Sequence, residues 1–206
     1  MATDAAGSLA KLFANNRAWA AGQTARDPQY FERLREIQRP PYLWIGCADS
    51  RVPANEIVGL APGEVFVHRN VANIVRSDDP NALSVIQYAV DVLAIRHIIV
   101  TGHHGCGGIA AALGPPTPEP LETWLTPIRA LREAHAAELA RLAPAERGDH
   151  LCELNVAAQV RAVAATETVR RAWAAGRPLA IHGWFYDLKD GLLHDLNVTL
   201  EGPVPR

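Results

Sequence analysis

Apolar and polar positions along this chain of 206 residues follow two different periods. Short apolar runs of strand length lie at residues 42–47, 97–101 and 179–186, and the middle run, HIIVT, is rich in β-branched side chains. Weaker strand patterns follow at 64–68 and 192–200. The sequence therefore predicts five strands, the last two joined by a turn at Lys189–Gly191.

Helical spacing of apolar residues separates most of these strands. A glycine-rich turn at 102–108 opens one short helix, and Gly114–Pro120 is a loop with four prolines. The predicted helices cover residues 8–20, 27 to just before Pro40, 81–94, 108–113, 121–142 and 151–174. Strands alternating with helices predict an α/β fold, with a mostly parallel central sheet flanked by helices and one antiparallel edge strand.

The first two helices predict an N-terminal helical arm, residues 1–38, attached to an α/β core at 39–206 within one domain. Apolar side chains at Leu9, Leu12 and Phe13 have little of their own chain to cover. We therefore expect the arm to pack on a partner subunit, giving a homodimer or a tetramer of dimers.

Charge and composition exclude several classes of function. The formal net charge is −2 without a basic stripe, so nucleic acid is not an expected partner. No apolar run approaches the roughly 20 residues that cross a membrane, and residues 1–7 lack a signal-peptide pattern, so we expect a cytoplasmic protein. The three cysteines are an odd number for a disulfide framework, which leaves metal binding, catalysis or packing.

The first chemical cluster is CADSR at 47–51, directly after a predicted strand. In an extended chain Cys47, Asp49 and Arg51 project to one side, which aligns a soft metal ligand, a carboxylate and a cation. A buried cysteine beside a surface ion pair explains this pentapeptide equally well.

The second cluster is GHHGCGG at 102–108, also directly after a strand. His103 and Cys106 are three residues apart and meet on one side of a first helical turn. A phosphate-binding glycine loop is the alternative, but neither dinucleotide-binding nor P-loop spacing fits. Cys47, His103 and Cys106 together form a Cys₂His set, typical of catalytic zinc with an open fourth position, for which Asp49 is an alternative ligand.

The pattern C-x-D-x-R followed by H-x-x-C resembles the beta-class carbonic anhydrases. The likeness extends over residues 44–75, 83–108, 151–160 and 181–198. Within this family, the sequence most resembles the bacterial type, in the subgroup with a noncatalytic bicarbonate pocket. The resemblance implies one Zn²⁺ per chain and reversible hydration of carbon dioxide to bicarbonate and a proton by a zinc-bound hydroxide.

The resemblance also implies roles for individual residues. Cys47, His103 and Cys106 would bind zinc, Asp49 would accept a hydrogen bond from the reacting water, and Arg51 would hold Asp49. Asp49 would also be able to ligate zinc and close the site, under control of pH and bicarbonate.

Two further groups of residues match family positions, although each side chain could equally be ordinary structure. The substrate pocket would comprise Gln38, supplied across a subunit interface, with Val52, Phe66, Val71, Tyr88 and the backbone near Gly107. The bicarbonate pocket would comprise Trp44, Arg69 and Tyr186.

Some observations leave alternatives open. His104 stands where the family often has tyrosine, and it is either a proton shuttle or a solvated neighbour. A cysteine phosphatase using Cys47 would need its arginine six residues later rather than four, and would leave Cys106 unexplained. A noncatalytic zinc-binding regulatory protein on the same fold would share the ligands, but Arg51 beside Asp49 favours the enzyme.

Overall fold

The structure is a computed structural model that describes residues 5–36 and 38–202. It divides into two compact units, one up to Arg39 and one from Pro40 onward. The predicted boundary between arm and core, after residue 38, lies one residue from this division.

The N-terminal unit contains two helices, α1 at Ala5–Arg26 and α2 at Tyr30–Glu36. Helix α1 runs past Gly22, where the prediction ended it, because a single glycine weakens a helix by only about 1 kcal/mol. The Asp27 carboxylate accepts a hydrogen bond from the Gln29 amide, which forms a turn and starts α2 later than predicted. The Trp19 and Phe31 rings pack edge to face, with centroids 5.7 Å apart.

The second unit is built on one six-stranded sheet in the order β2-β1-β3-β4-β5, with β6 also paired to β4. Strands β1 to β4 are parallel, and β5 and β6 run antiparallel to β4. The strands are β1 Tyr42–Cys47, β2 Val65–Asn70, β3 His97–His103, β4 Ala180–Asp187, β5 Leu192–Asp195 and β6 Leu200–Glu201. The predicted parallel sheet with an antiparallel edge is confirmed, although the single closing strand is two short ones.

The described part of this unit contains seven α-helices, which flank the sheet. They are α3 Ala54–Ile57, α4 Pro80–Gln87, α5 Gly107–Leu113, α6 Leu121–Ala134, α7 Ala136–Arg141, α8 Arg147–Ala164 and α9 Glu167–Ala174. A π-helical turn at Tyr88–Val92 extends α4, and a 3-10 turn at Val71–Asn73 follows β2. None of the described helices has the length and apolarity needed to cross a bilayer.

Two of the predicted long helices are each broken in the structure. The 121–142 helix divides at His135, and the 151–174 helix divides before Thr166. The Thr166 hydroxyl donates to the Val163 carbonyl at 2.7 Å and accepts from the Val169 amide, so it ends one helix and caps the next. A threonine inside an apolar periodic pattern does not reveal this break from sequence.

The main core lies between one face of the sheet and α8. Leu43 and Ile45 of β1 and Val100 of β3 pack in the same buried cluster as Val156 and Val160 of α8. The opposite face holds a smaller cluster around Trp44 and Ile99. Helix α8 packs on β3 and β4, and its Cys152 lies beside His103 at the carboxyl end of β3, where the second chemical cluster lies.

Candidate metal centre

The two chemical clusters meet at one edge of the sheet. Cys47 ends β1 and His103 ends β3, and these strands are parallel neighbours with Gly46 opposite Thr101. Cys106 lies three residues past His103 and immediately precedes α5. Parallel pairing therefore brings together three buried side chains that are 59 residues apart at the extremes, as the sequence predicts.

The spacing of their ligand atoms fits a tetrahedral metal ion. Cys47 Sγ and Cys106 Sγ are 3.8 Å apart, and these atoms and a ring nitrogen of His103 lie within 4.8 Å of one another. Two sulfurs bound to zinc at about 2.3 Å with a tetrahedral angle would be about 3.8 Å apart. The donor set and its spacing therefore match zinc.

The orientation of His103 leaves one nitrogen available. His103 Nδ1 lies 3.0 Å from the His104 carbonyl, which accepts a hydrogen bond only if Nδ1 carries the proton. His103 Nε2 is then an acceptor, and it is buried with no hydrogen-bond partner among the described residues. A buried lone pair of this kind is explained by a cation between the three ligands.

The thiol pair already favours negative charge. The pKa of Cys47 is lowered to about 4, chiefly by a hydrogen bond from the Cys106 thiol, against the opposing effect of burial. The pKa of Cys106 is raised because its proton is held by the Cys47 thiolate and because it is buried. The site thus stabilises a thiolate, the form that binds metals.

A carboxylate stands beside these ligands, fixed by arginine. Arg51 donates to Asp49 through its backbone amide at 3.0 Å and through Nε and an NH₂ group at 2.9 and 2.7 Å. These bonds, chiefly the side-chain ones, hold the pKa of Asp49 well below its usual range. Asp49 Oδ2 lies 3.7 Å from His103 Nε2. An ionised acceptor is therefore held next to the predicted metal position.

Four further hydrogen bonds surround this ion pair. Arg51 also donates to the Gly105 carbonyl at 3.2 Å, and the Gly105 amide donates to Asp149 at 3.0 Å. Arg69 donates to the Cys47 carbonyl at 2.8 Å and to the Asp49 carbonyl. Arg69 thus braces the segment between the first cysteine and the carboxylate, a role for which its sequence position gives no signal.

The residues predicted to line the substrate pocket differ in their exposure. The Phe66 and Tyr88 rings contact each other, with centroids 5.8 Å apart, and Tyr88 is exposed. Val71 is exposed, and its Cγ1 lies beside Gly108 at the start of α5. Val52 is buried, and Gly107 has open space where a Cβ would stand. Their roles toward a substrate stay predictions.

Two residues of the predicted bicarbonate pocket lie in the sheet, and Gln38 lies in the N-terminal unit. Trp44 is buried, with its indole packed beside Gly46, and Tyr186 of β4 pairs with His103. By register, Trp44 and Tyr186 belong to the same face of the sheet. Gln38 is exposed in the N-terminal unit. A bicarbonate pocket and a contribution of Gln38 to a partner's site stay predictions.

His104 lies in an acidic cluster that the sequence does not reveal. Its Nε2 is 3.0 Å from Glu153, and its Nδ1 is 3.5 Å from Asp187. Its ring stacks on Phe185, with centroids 4.3 Å apart. His104 is therefore a packed and paired residue rather than a freely solvated one. Cys152 lies in the buried core, with its thiol 3.1 Å from the His103 carbonyl.

Comparison with known proteins decides the family. The carbonic anhydrase family matches residues 42–193 of the chain. A carbonic anhydrase of Emericella nidulans is 48% identical over 93% of this chain and 85% of its own length. A tetrameric beta-carbonic anhydrase of Sordaria macrospora superposes with a TM-score of 0.91 at 40% identity, covering 94% of this chain and 99% of that one. The chain belongs to the beta-class carbonic anhydrases.

Other relatives agree with this assignment. A carbonic anhydrase of Pseudomonas aeruginosa is 37% identical over 82% of this chain and 79% of its own length. A Coccomyxa beta-carbonic anhydrase, solved in complex with acetazolamide, superposes with a TM-score of 0.91 at 42% identity, covering 94% and 88% of the two chains. The predicted class of enzyme, which hydrates carbon dioxide, is confirmed, while the bacterial subgroup stays a prediction.

The geometry of the site does not fit the alternative of a cysteine phosphatase. The Arg51 guanidinium is engaged by Asp49 rather than open to a phosphate, and Cys106 faces Cys47 at 3.8 Å.

Proposed function

We propose that Cys47, His103 and Cys106 hold one Zn²⁺ per chain and that the enzyme interconverts carbon dioxide and bicarbonate at this centre. The observation that carries the proposal is three buried donors at tetrahedral spacing beside an arginine-held carboxylate. When bound there, zinc supplies a Lewis acid that makes water nucleophilic near neutral pH.

Asp49 is the residue that acts on the reacting water. Its carboxylate is an acceptor only, so it orients a water that donates one hydrogen toward Oδ2 and presents an oxygen lone pair to carbon dioxide. Arg51 occupies both carboxylate oxygens, which keeps Asp49 ionised and in one orientation. The proton released in hydration then leaves to solvent, and bicarbonate is exchanged for water.

The apolar walls suit an uncharged substrate. Phe66, Val71 and Tyr88 offer hydrocarbon and ring surface without a formal charge, which favours carbon dioxide over bicarbonate in the ground state. Val71 and Tyr88 are 40% and 44% exposed, so this part of the wall is open in the single chain. We propose that a partner subunit completes it, with Gln38 orienting the substrate.

A homodimer or a tetramer of dimers follows from the same reasoning. Leu12 and Phe13 in the N-terminal unit are 60% and 67% exposed, an unusual exposure for such side chains. The Sordaria macrospora relatives are tetrameric. Light scattering should give a mass of at least two chains, and a monomer at micromolar concentration would contradict both the oligomer and the role of Gln38.

Regulation through Asp49 is the finer part of the proposal. If Arg51 released Asp49, the carboxylate would be able to ligate zinc and close the site. Arg69 bonds the carbonyls of Cys47 and Asp49, so an anion such as bicarbonate that drew Arg69 toward Trp44 and Tyr186 would loosen this segment. Bicarbonate should then inhibit the enzyme cooperatively, and an Arg69→Met variant should lose that cooperativity.

The primary test is stopped-flow hydration of carbon dioxide by zinc-quantified protein, beside Asp49→Ala. We expect about one zinc per chain and a rate that falls at least about 100-fold in the variant. Two thiolates offset the charge of zinc, so the rate should also rise from neutral to alkaline pH.

The outcomes separate the enzyme from a noncatalytic zinc protein. Full zinc occupancy with no hydration at any pH would support the noncatalytic reading. The Asp49–Arg51 pair opposes that reading, because a closed structural site would use Asp49 as a ligand instead.

A further inference from the structure

The turn after β2 has an unusual backbone beside the metal centre. Ala72 and Asn73 have φ values of 61° and 48°, in the left-handed region that favours glycine. Both residues are buried. Non-glycine residues hold this conformation only where their surroundings enforce it, and such strain concentrates at functional sites.

Ala72 contacts both the ligand region and helix α8. It belongs to the buried apolar cluster that contains Cys47 and Cys106. The Ala72 carbonyl accepts a hydrogen bond from Asn155 Nδ2 of α8, at 3.0 Å. One residue therefore links α8 to the cluster of the metal ligands.

Asn155 is in turn held by Gln159, one turn further along α8. Gln159 Nε2 donates to Asn155 Oδ1 at 2.9 Å, and Gln159 Oε1 accepts from the Val75 amide at 2.8 Å. Both amide side chains are buried, at 1% and 5% exposure. We call this chain of hydrogen bonds through Asn155 and Gln159 the relay. It binds the turn at two points, Ala72 and Val75.

The polarity of this relay is determined at both ends. A backbone N–H can only donate, so Gln159 must present its oxygen to Val75 and its nitrogen to Asn155. Asn155 must then present its nitrogen to the Ala72 carbonyl, which can only accept. Each polar atom in the relay has one arrangement that satisfies it, which makes the relay rigid.

The other side of the turn abuts the second ligand segment. A Cβ on Gly108 would lie 2.9 Å from Val71 Cγ1 and 3.0 Å from Ala72 Cβ. Gly108 is two residues past Cys106. The turn therefore packs between α8 and the start of α5, the helix that directly follows Cys106.

We propose that Asn155 and Gln159 are positioning residues that hold the buried turn at Ala72 against the ligand cluster of Cys47 and Cys106 and so raise the affinity of the site for its metal. This inference rests on the proposed function, because it takes Cys47 as a metal ligand. A rigid turn packed against the two cysteines keeps their sulfurs at the spacing that a metal requires. Outer partners of this kind change metal affinity by about 10–100-fold when removed.

The test measures zinc affinity by competition with a chromophoric chelator, and thiolate-to-metal charge-transfer absorption after cadmium substitution. Asn155→Leu keeps the volume but removes the donor, and we expect it to bind zinc about 10–100-fold more weakly, with an altered cadmium band. Asn155→Leu combined with Gln159→Leu should cost less than the sum of the two single changes, because both residues act on the same turn and share a hydrogen bond.

The matched control is Val163→Ala, a buried change on the same helix and in the main core. It should lower thermal stability without changing zinc affinity. Gly108→Ala displaces the turn from the opposite side and should weaken zinc binding as well, which keeps the test decisive if Asn155→Leu does not fold.

The outcomes distinguish the positioning role from the metal centre itself. If the unmodified chain binds zinc but Asn155→Leu and Gly108→Ala bind it as tightly as Val163→Ala, the positioning role is wrong and the proposed function stands. If the unmodified chain shows neither zinc stoichiometry nor thiolate absorption with cadmium, the metal centre itself is wrong, and the positioning role with it.

Discussion

The arginine fork on Asp49 gives the sharpest test of how this site works. Arg51→Lys keeps a positive charge but removes the planar group that donates two parallel hydrogen bonds, at 2.9 and 2.7 Å. An ammonium group is a single flexible point charge and cannot hold both carboxylate oxygens in one orientation. The change therefore loosens Asp49 without deleting a metal ligand.

The expected cost to folding is small. The Arg51 side chain is 56% exposed, and exposed ion pairs contribute about 0–1 kcal/mol. For a chain of this size that corresponds to a lowering of Tm by at most about 4 °C.

The expected cost to catalysis is larger, because Asp49 Oδ2 lies 3.7 Å from His103 Nε2 and is proposed to orient the reacting water. We expect kcat/KM for hydration to fall about 10–100-fold, equivalent to about 1.4–2.7 kcal/mol of transition-state stabilisation. Stopped-flow assays at alkaline pH on zinc-loaded protein measure this directly.

The chain offers a matched control. Arg76 makes the same fork to Asp78, two residues away, with both bonds at 2.9 Å. Arg76→Lys should change Tm by a similar amount and leave hydration unchanged. Retention of more than half the activity in Arg51→Lys, or an equal loss in Arg76→Lys, would refute the reasoning.

Three further predictions concern the metal, pH and packing. Removing zinc with a chelator should lower Tm by at least roughly 5 °C, because bound metal stabilises only the folded state; calorimetry with and without added zinc measures this. Burial, helped by the neighbouring His97, lowers the pKa of His182, so the folded state favours the neutral ring. The stability contributed by His182 is present above its unfolded pKa of about 6.5 and is lost as the pH falls below that value. The free energy of unfolding, measured by urea melts at about pH 7.5 and 5.5, should therefore change less for His182→Gln than for the unmodified chain. Gly183→Ala should destabilise by about 1–3 kcal/mol, because its Cβ would lie 2.5 Å from Val198 Cγ2, whereas Gly22→Ala, which meets nothing, should stabilise slightly; thermal melts of both decide it.

The sequence by itself determined the features that depend on local pattern. Strand-length apolar runs gave β1 and β3, and the ligand types at their ends predicted the Cys₂His centre and its neighbour Asp49. Parallel strands that are paired deliver their carboxyl ends to one edge, so these predictions required no knowledge of packing. Family resemblance added the chemistry.

Only the tertiary structure decided what depends on groups distant along the chain. Asn155 and Gln159 read as polar interruptions of an apolar helix until α8 packs on the sheet and pairs them with Ala72 and Val75. The family resemblance assigned Arg69 to a bicarbonate pocket, and only the structure shows that it bonds the Cys47 and Asp49 carbonyls. Backbone polar groups carry no signature in the sequence, because every residue has them, and only the fold determines which side chain must satisfy them.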